Sequence, residues 1–355
     1  MTLLIFKEKI KVIFFENKTA NHMPTRYYNL DFLKVLAAIF ITNSHFIPLY
    51  KDISPSLATF GVHGNALFFF VSGFLLMMGF EKKKDLFINW YKKKIQRLWP
   101  SVFLWSIIAA IIWNTPITWQ DLVIADKYWF LQCIAIYYIL FYIFGNLNIS
   151  IMGGGSKICM QKILFMLSIA VSLLYFYFMP KATGSIFHTN FHFICHFSIM
   201  IMGGMTYLYK DKIEITSLWK DCLWTIFWFV LYFIILYIGK GKQDYKYYFQ
   251  IVGLLPLHLF IFYAYKTASY HWCTTLFQSS RWKWLLLIIS NLTLEIYIVQ
   301  FHIITDKFNF LFPFNTIIVF TLICTAAYIL KVITSLFLQF LSPVPFDLKK
   351  AININ

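Results

Sequence analysis

Ten apolar segments of about 20 residues each follow one another along this chain of 355 residues. An α-helix needs about that length to cross the hydrocarbon core of a bilayer. Hydrophobic residues make up 60% of the chain and charged residues only 13%, far from the composition of soluble domains. We therefore predict an all-α, polytopic integral membrane protein of about ten transmembrane helices. The predicted spans lie near residues 29–48, 60–80, 98–114, 128–146, 161–179, 191–209, 221–239, 247–265, 283–303 and 314–341.

Basic residues between these segments predict the orientation of the chain. The formal net charge is +16, but Lys and Arg fall in short clusters between apolar segments, so no nucleic-acid partner is predicted. The segment 81–97 carries six lysines and Arg97, whereas 49–59 carries only Lys51. Basic loops stay on the cytoplasmic side, so both termini are predicted to be cytoplasmic. We expect a multi-pass protein of the cell membrane, specifically a bacterial inner membrane, with membrane lipids as partners. The predicted parts are a cytoplasmic basic leader at 1–25, a transmembrane domain at 26–341 and a cytoplasmic tail at 342–355.

Two details of this organisation leave alternatives open. Residues 1–20 interleave lysines with short apolar pairs, so we expect a basic amphipathic leader on the membrane surface instead of a signal peptide. Met23 stands just before the first span and is an alternative start. The predicted outer segment 240–246 carries three lysines, which leaves the bounds of spans seven and eight open.

The first span places polar side chains on one helical face. Lys34 and His45 are eleven residues apart, which brings them to within about 20° of the same face and about 16 Å apart along the axis. Asp31 lies three residues before Lys34. Charged groups cost at least a few kcal/mol in lipid, so they indicate a functional cleft. The structural alternative is that Lys34 pairs with Asp31 or reaches the interface, where His45 also lies.

The ninth span repeats this arrangement. Asn291, Glu295 and His302 are separated by four and seven residues, the spacing of one helical face. The alternative to a functional role is a buried Glu295 that is protonated or paired with a neighbouring span. Two spans that each place a His at the outer end of a polar face predict a cleft between helices.

Several classes of protein are excluded by missing patterns. The sequence contains no Walker loop, GxGxxG, GxSxG or HExxH pattern, which excludes ATPases, Rossmann enzymes, serine hydrolases of that type and zincins. The six cysteines show neither zinc-site nor redox spacing, so no metal site is predicted.

The stretch LDFLKVLAAIFITNSH at 30–45 resembles the first-span motif of the membrane-bound acyltransferase family 3, which is Arg, ten residues, then His. Lys34 and His45 hold these two positions, with Lys in place of Arg. Four further stretches resemble motifs of that family in its order: ALFFFVSGFLL at 66–76, KKIQRLWP at 93–100, YWFL at 128–131 and LEIYIVQFH at 294–302.

The resemblance implies transfer of an acyl group, commonly acetyl, from cytoplasmic acyl-CoA as co-substrate to a hydroxyl of a sugar or lipid-linked glycan. It also implies that His45 is the catalytic histidine. A neutral imidazole is the general base best matched to a hydroxyl proton near pH 7. Glu295 or Asp31 would orient or balance the imidazole, and Lys34 would attract a CoA phosphate or polarise the thioester carbonyl.

Basic residues before the third span are the predicted CoA site. Lys93, Lys94 and Arg97 would hold phosphate at the cytoplasmic mouth, with positive-inside anchoring as the alternative. Ser72, with Gly73, would let the second helix approach the acyl chain, although a seam of small packing residues explains the pair equally well.

Four residues are the predicted substrate-binding set: His302, His63, Trp129 and Asp31. Anchoring at the membrane interface is the alternative for His63 and Trp129. Two other functions remain open. A polysaccharide or lipid-linked oligosaccharide transporter would show inverted repeats with interrupted helices, and none is visible. A membrane glycosyltransferase would favour a large outer loop, whereas the longest predicted here is only 115–127.

Overall fold

The structure is a computed structural model that describes residues 26–82, 85–150, 157–180, 184–215, 217–240, 244–279, 281–341 and 346–352. The predicted leader at 1–25 and part of the tail at 342–355 lie outside the described residues. Apart from short 3₁₀ turns, the regular elements of the described chain are α-helices. These are α1 (Tyr28–His45), α2 (Gly61–Lys82), α3 (Phe87–Trp113), α4 (Trp119–Val123), α5 (Trp129–Ser150), α6 (Lys157–Phe178), α7 (His192–Tyr209), α8 (Leu218–Ile238), α9 (Asp244–Phe249), α10 (Leu254–Ala268), α11 (His271–Gln278), α12 (Lys283–Asn291), α13 (Thr293–Ile303), α14 (Phe314–Phe340) and α15 (Leu348–Ile352).

Every predicted span overlaps a helix or a pair of consecutive helices in this order. Within the described residues, five stretches are long and apolar enough to cross a membrane: Pro55–Lys82, Phe87–Trp113, Leu218–Ile238, Tyr245–Ala268 and Phe314–Phe340. A sixth results if α12 and α13 form one span. The prediction of an all-α membrane protein is confirmed, whereas the count of ten spans and the cytoplasmic termini stay predictions. The helix α1 carries Asp31, Lys34 and His45, which lower its hydropathy.

The helix α2 lies at the centre of the bundle between α1 and α7. At Gly73 an added Cβ would stand 1.8 Å from the carbonyl oxygen of Met200, and at Gly203 it would stand 2.0 Å from that of Phe70. No side chain fits at either position, so the backbones of α2 and α7 are in direct contact. Gly73 therefore belongs to a packing seam, and its half-buried neighbour Ser72 lies beside that seam.

The ninth predicted span is broken in two. The axes of α12 and α13 meet at 78° around Leu292, although the segment contains neither Pro nor Gly. Side chains hold the end of α12 instead: Ser290 Oγ donates to Asp31 Oδ1 at 2.7 Å, and Arg26 Nη2 donates to Asn291 Oδ1 at 3.3 Å. The prediction that Asn291 shares one helical face with Glu295 and His302 is therefore wrong, because the bend separates them.

Candidate active site

The helix α1 defines two ends of the bundle. We call the end of the bundle at which α1 begins the Lys34 end, and the end at which α1 stops the His45 end. The helix α2 starts beside Ser44, at the His45 end, where a Cβ on Gly61 would stand 2.5 Å from Ser44 Oγ. Consequently α3 starts at the Lys34 end, and its basic residues lie there.

Asp31 is the centre of a buried ion-pair network at the Lys34 end. Its carboxylate accepts from Arg26 Nε at 2.6 Å on Oδ2 and pairs with Lys34 Nζ at 2.7 Å through Oδ1. Ser290 donates to the same Oδ1. Such pairing compensates the cost of burying a carboxylate. The pairing of Lys34 with Asp31, one of the two sequence alternatives, is therefore present.

His45 is the last residue of α1 and is half-buried. Its ring packs edge-to-face on Phe301 of α13, with 4.7 Å between the ring centroids. Within the described chain no hydrogen bond joins its ring nitrogens to Glu295 or Asp31, the two residues predicted to orient it. Neither ring nitrogen has a hydrogen-bond partner among the described residues, which is what a general base needs before a substrate arrives.

A small cavity lies between Lys34 and His45 on the same face of α1. Ala38 and Ile41, four and seven residues after Lys34, line it. Its volume is about 10 Å³, which is near the minimum that holds one water molecule. The other walls come from α2, α5 and α13: Phe68, Phe130, Thr293, Leu294 and Tyr297. The face of α1 that carries Lys34 and His45 thus lines a packing defect about halfway between these two residues.

Glu295 lies on a different face of α13 from the one that lines this cavity. It is 0% exposed, and its Oε1 accepts from Lys331 Nζ of α14 at 2.9 Å and from Ser101 Oγ of α3 at 3.2 Å. Its Oε2 has no hydrogen-bond partner among the described residues. Glu295 therefore forms an ion pair with Lys331. This is the pairing with a neighbouring span that the sequence left as an alternative. Its role toward His45 stays a prediction.

His302 follows on the same face of α13 as Glu295, toward the His45 end. Trp105 Nε1 of α3 donates to His302 Nδ1 at 3.2 Å, and Trp113 lies 5.3 Å from the imidazole between ring centroids. Because Nδ1 accepts, a neutral His302 carries its proton on Nε2. Two tryptophans of α3 thus hold this half-buried imidazole in place, and its contact with an acceptor stays a prediction.

His63 is fully buried, away from any interface. Four rings surround its imidazole, those of Phe229, Tyr232, Phe233 and Phe260. Neither ring nitrogen has a hydrogen-bond partner in the described part of the chain. Interface anchoring, the structural alternative for His63, is therefore wrong, because the side chain is 0% exposed. Its predicted role in acceptor binding is untested.

Trp129 opens α5 at the His45 end. Its ring lies 4.0 Å from that of His192, between centroids, and also contacts His196 and Phe193. The preceding Tyr128 contacts Phe301, the ring on which His45 packs. Two rings, those of Tyr128 and Phe301, therefore lie between Trp129 and the predicted base, and the predicted role of Trp129 in acceptor binding stays a prediction.

The predicted CoA-binding residues lie on the first turns of α3 at the Lys34 end. Lys93 Nζ pairs with Asp85 at 2.6 Å, and Lys94 Nζ lies 5.3 Å from the centroid of the Trp90 ring. Arg97 is exposed. The three cations therefore share one end of the bundle with Lys34, although the structure does not test phosphate binding by them.

The sequence reasoning missed several residues of these networks. Lys331 is the only charged residue between 314 and 341, a signal of the kind that marked Glu295. Ser101 and Ser290 carry no such signal, because a serine in an apolar helix is common and usually bonds its own backbone. In the part of the chain that the structure describes, no group of three or more His, Cys, Asp or Glu side chains is arranged to hold a metal ion.

Comparison with known proteins identifies the family. The family model described as "Acyltransferase domain" matches residues 27–336, which is more than four-fifths of the chain. No curated protein and no solved structure matches the chain. The match includes α1 with Lys34 and His45, the α12–α13 pair and most of α14. The chain therefore belongs to the acyltransferase family 3 and is an acyltransferase whose apolar helices make it a membrane protein.

Proposed function

We propose that this acyltransferase moves an acetyl group from cytoplasmic acetyl-CoA to a hydroxyl of a cell-surface or lipid-linked polysaccharide. One observation carries the proposal. A single face of α1 bears a cationic network at one end and the imidazole of His45 at the other, with a cavity between them. This imidazole has no hydrogen-bond partner among the described residues. Donor and acceptor can thus approach one reaction site from opposite ends of the bundle.

His45 acts as the general base in this proposal. Its neutral imidazole takes the proton of the sugar hydroxyl while the hydroxyl oxygen attacks the carbonyl carbon of the thioester. The bond between that carbon and sulfur then breaks, and the sulfur leaves with the proton that His45 returns. The products are the sugar ester and free CoA, and His45 is neutral again. A half-buried imidazole is suited to both proton transfers.

The donor binds at the Lys34 end. Lys34 lies about 16 Å along the helix axis from His45, so the two side chains do not reach the same carbonyl. This distance favours the attraction of a CoA phosphate over polarisation of the thioester as the role of Lys34. Lys94 and Arg97 at the same end supply further positive charge, whereas Lys93 is already paired with Asp85.

The charge pattern of the loops supports the same orientation. Basic loops at the Lys34 end favour a cytoplasmic position for that end, on the side where acetyl-CoA is available. The His45 end then faces outward from the cell membrane, toward surface glycans. Glu295 contributes by fixing α13, which carries Phe301, against α3 and α14.

The test is acetyl transfer by purified protein in proteoliposomes, with isotopically labelled acetyl-CoA and a glycan acceptor. His45→Ala should lower the rate by about 10² to 10⁴, the usual contribution of a general base. His271→Ala is the matched control, because His271 is an exposed histidine at the start of α11. A rate for His45→Ala within tenfold of wild type would make His45 structural. Wild-type protein that moves glycan across the vesicle membrane but transfers no acetyl would overturn the proposal in favour of a transporter.

A further inference from the structure

A second cavity lies at the side of the bundle between α5, α6 and α7. Its volume is about 460 Å³, within the range of small-molecule pockets. The walls are almost wholly apolar and come from these residues: Cys133, Ile136, Tyr137, Leu140, Phe144, Leu164, Leu167, Ser168, Val171, Phe193, Ile194 and Phe197. The cavity opens through exposed Ile136, Leu167 and Val171 onto the surface that faces lipid in a membrane.

The polar groups in its walls are already occupied. Tyr137 Oη donates to the carbonyl of Phe193 at 2.8 Å, and Cys133 Sγ contacts the same oxygen at 3.9 Å. Ser168 Oγ donates to the carbonyl of Phe165 at 2.7 Å. A water molecule in the cavity would find few partners, since stable buried water makes about three hydrogen bonds. The occupant that suits these walls is hydrocarbon.

One end of the cavity meets polar rings. Phe193 belongs to the cavity wall and also packs on Trp129 at 5.7 Å and on His192 at 4.4 Å, between ring centroids. The Nε2 atoms of His192 and His196 are buried, and neither has a hydrogen-bond partner among the residues described. His196 as a whole is only 1% exposed. The Phe193 side chain therefore stands between the apolar cavity and the imidazole of His192, whose Nε2 has no partner among the described residues.

The same polar end leads to the predicted base. Trp129 directly follows Tyr128, whose ring lies 5.8 Å from that of Phe301, and Phe301 packs on His45 at 4.7 Å. The rings of Tyr128 and Phe301 thus connect Trp129 with His45, so sugars attached to a head group at Trp129 and His192 would extend along the end of the bundle that holds His45.

We propose that this cavity binds the hydrocarbon chain of a lipid-linked glycan, the acceptor of the acetyl group, with its head group beside Trp129 and His192. This inference rests on the proposed function, and it specifies the acceptor as a polyprenyl-type lipid. The position of the apolar cavity next to Trp129 and His192, at the end of the bundle that holds His45, favours this occupant over an ordinary phospholipid, which carries no glycan.

The experiment fills the cavity without touching the polar end. Leu167→Trp places an indole at the cavity mouth, and Val171→Trp does the same one turn further along α6. Met166→Trp is the matched control, because Met166 is a neighbour on the same helix that is 64% exposed, against 52% for Leu167, and it does not line the cavity. Each variant is assayed with a polyprenyl-diphosphate glycan and with a soluble oligosaccharide as acceptor.

For both cavity variants the KM for the polyprenyl acceptor should rise by about tenfold or more, the loss expected when about two methylene groups lose their contacts. The KM for acetyl-CoA and the rate with the soluble oligosaccharide should match those of Met166→Trp. Equal behaviour of Leu167→Trp, Val171→Trp and Met166→Trp toward the polyprenyl acceptor would overturn the proposal. An equal loss with both acceptors would also overturn it, since filling a tail site affects only the lipid-linked one.

Native mass spectrometry gives a readout independent of activity. Purified wild-type protein should retain undecaprenyl phosphate in preference to phosphatidylglycerol, and Leu167→Trp should lose this retention. Equal retention of the two lipids would show an ordinary phospholipid site and overturn the proposal. If wild type retains undecaprenyl phosphate but transfers acetyl to neither acceptor, the proposed function fails while the lipid site stands.

Discussion

Replacement of Lys331 by Met separates a structural role of Glu295 from a catalytic one. Glu295 is 0% exposed and accepts from Lys331 at 2.9 Å and from Ser101 at 3.2 Å, whereas the Lys331 side chain is 36% exposed. Loss of Lys331 leaves a buried carboxylate with one hydroxyl donor. Loss of the carboxylate in Glu295→Gln leaves an ammonium on a side chain that is partly exposed, and therefore less desolvated than the carboxylate. The two single changes should therefore be unequal in cost.

The magnitudes follow from this asymmetry. Removal of one partner from a buried ion pair costs about 3–5 kcal/mol, and the partial exposure of Lys331 places Lys331→Met near about 3 kcal/mol. Glu295→Gln should cost about 1.5 kcal/mol, the low end for a hydrogen bond to a charged group, because the glutamine oxygen can still accept from Lys331. The double variant carries no buried charge, so it should lie within about 1 kcal/mol of wild type. The coupling energy is then about 3.5–5.5 kcal/mol.

Unfolding by SDS, followed through the fluorescence of the 12 tryptophans, measures all four proteins. Acetyl transfer is measured on the same samples. If Glu295 only compensates Lys331, the double variant should recover activity together with stability. Additive stability losses in the double variant would refute the ion-pair reasoning. Recovered stability without recovered activity would instead assign Glu295 to the reaction.

Three other predictions concern separate parts of the bundle. Lys34→Ala should raise the KM for acetyl-CoA and leave acceptor affinity unchanged, while Lys34→Arg retains activity; unchanged kinetics in folded Lys34→Ala would remove the residue from the donor site. In a cysteine-free background, Lys307→Cys should react with an impermeant reagent from outside intact cells and Lys92→Cys should not, and the reverse pattern would invert the topology. Gly73→Ala should destabilise the protein by at least about 1–3 kcal/mol, because the methyl group overlaps a carbonyl of α7. Gly79→Ala, with open space around its Cβ on the same helix, should be neutral or slightly stabilising, and equal costs at both positions would contradict the packing of α2 on α7.

The helices and the polar face of α1 were predictable because they depend on local periodicity. Apolar length locates most of the long helices to within about four residues, whereas α3 begins eleven residues before its predicted span because its first turns are basic. A spacing of eleven puts Lys34 and His45 on one face whatever surrounds them. The same local reasoning failed at Leu292. No Pro or Gly marks the bend between α12 and α13, since it is held by Asp31 and Arg26, which lie about 260 residues earlier in the chain.

Partners across the bundle were the part that sequence reasoning did not reach. A buried Glu295 predicts that a cation is near, but not that Lys331 supplies it, since helix neighbours depend on the packing of the whole bundle. The same holds for His63. A position at the start of a span suggested the interface, whereas four aromatic rings from α8 and α10 enclose the side chain. Such contacts join residues that are distant in sequence, and a single sequence carries no direct record of them.

The ion pairing of Glu295 with Lys331 has an electrical consequence. Among the described residues, one carboxylate and one ammonium leave this part of the bundle without net charge, and the proposed role of His45 as base requires a neutral imidazole. The Asp31 network carries one surplus positive charge, two cations against one carboxylate, but it lies at the Lys34 end. A full elementary charge that crosses the membrane couples to the voltage by about 2.3 kcal/mol per 100 mV. With no such charge at mid-depth, the membrane potential exerts little force on these helices, and a cell that loses its potential should keep the same acetylation rate per molecule of enzyme.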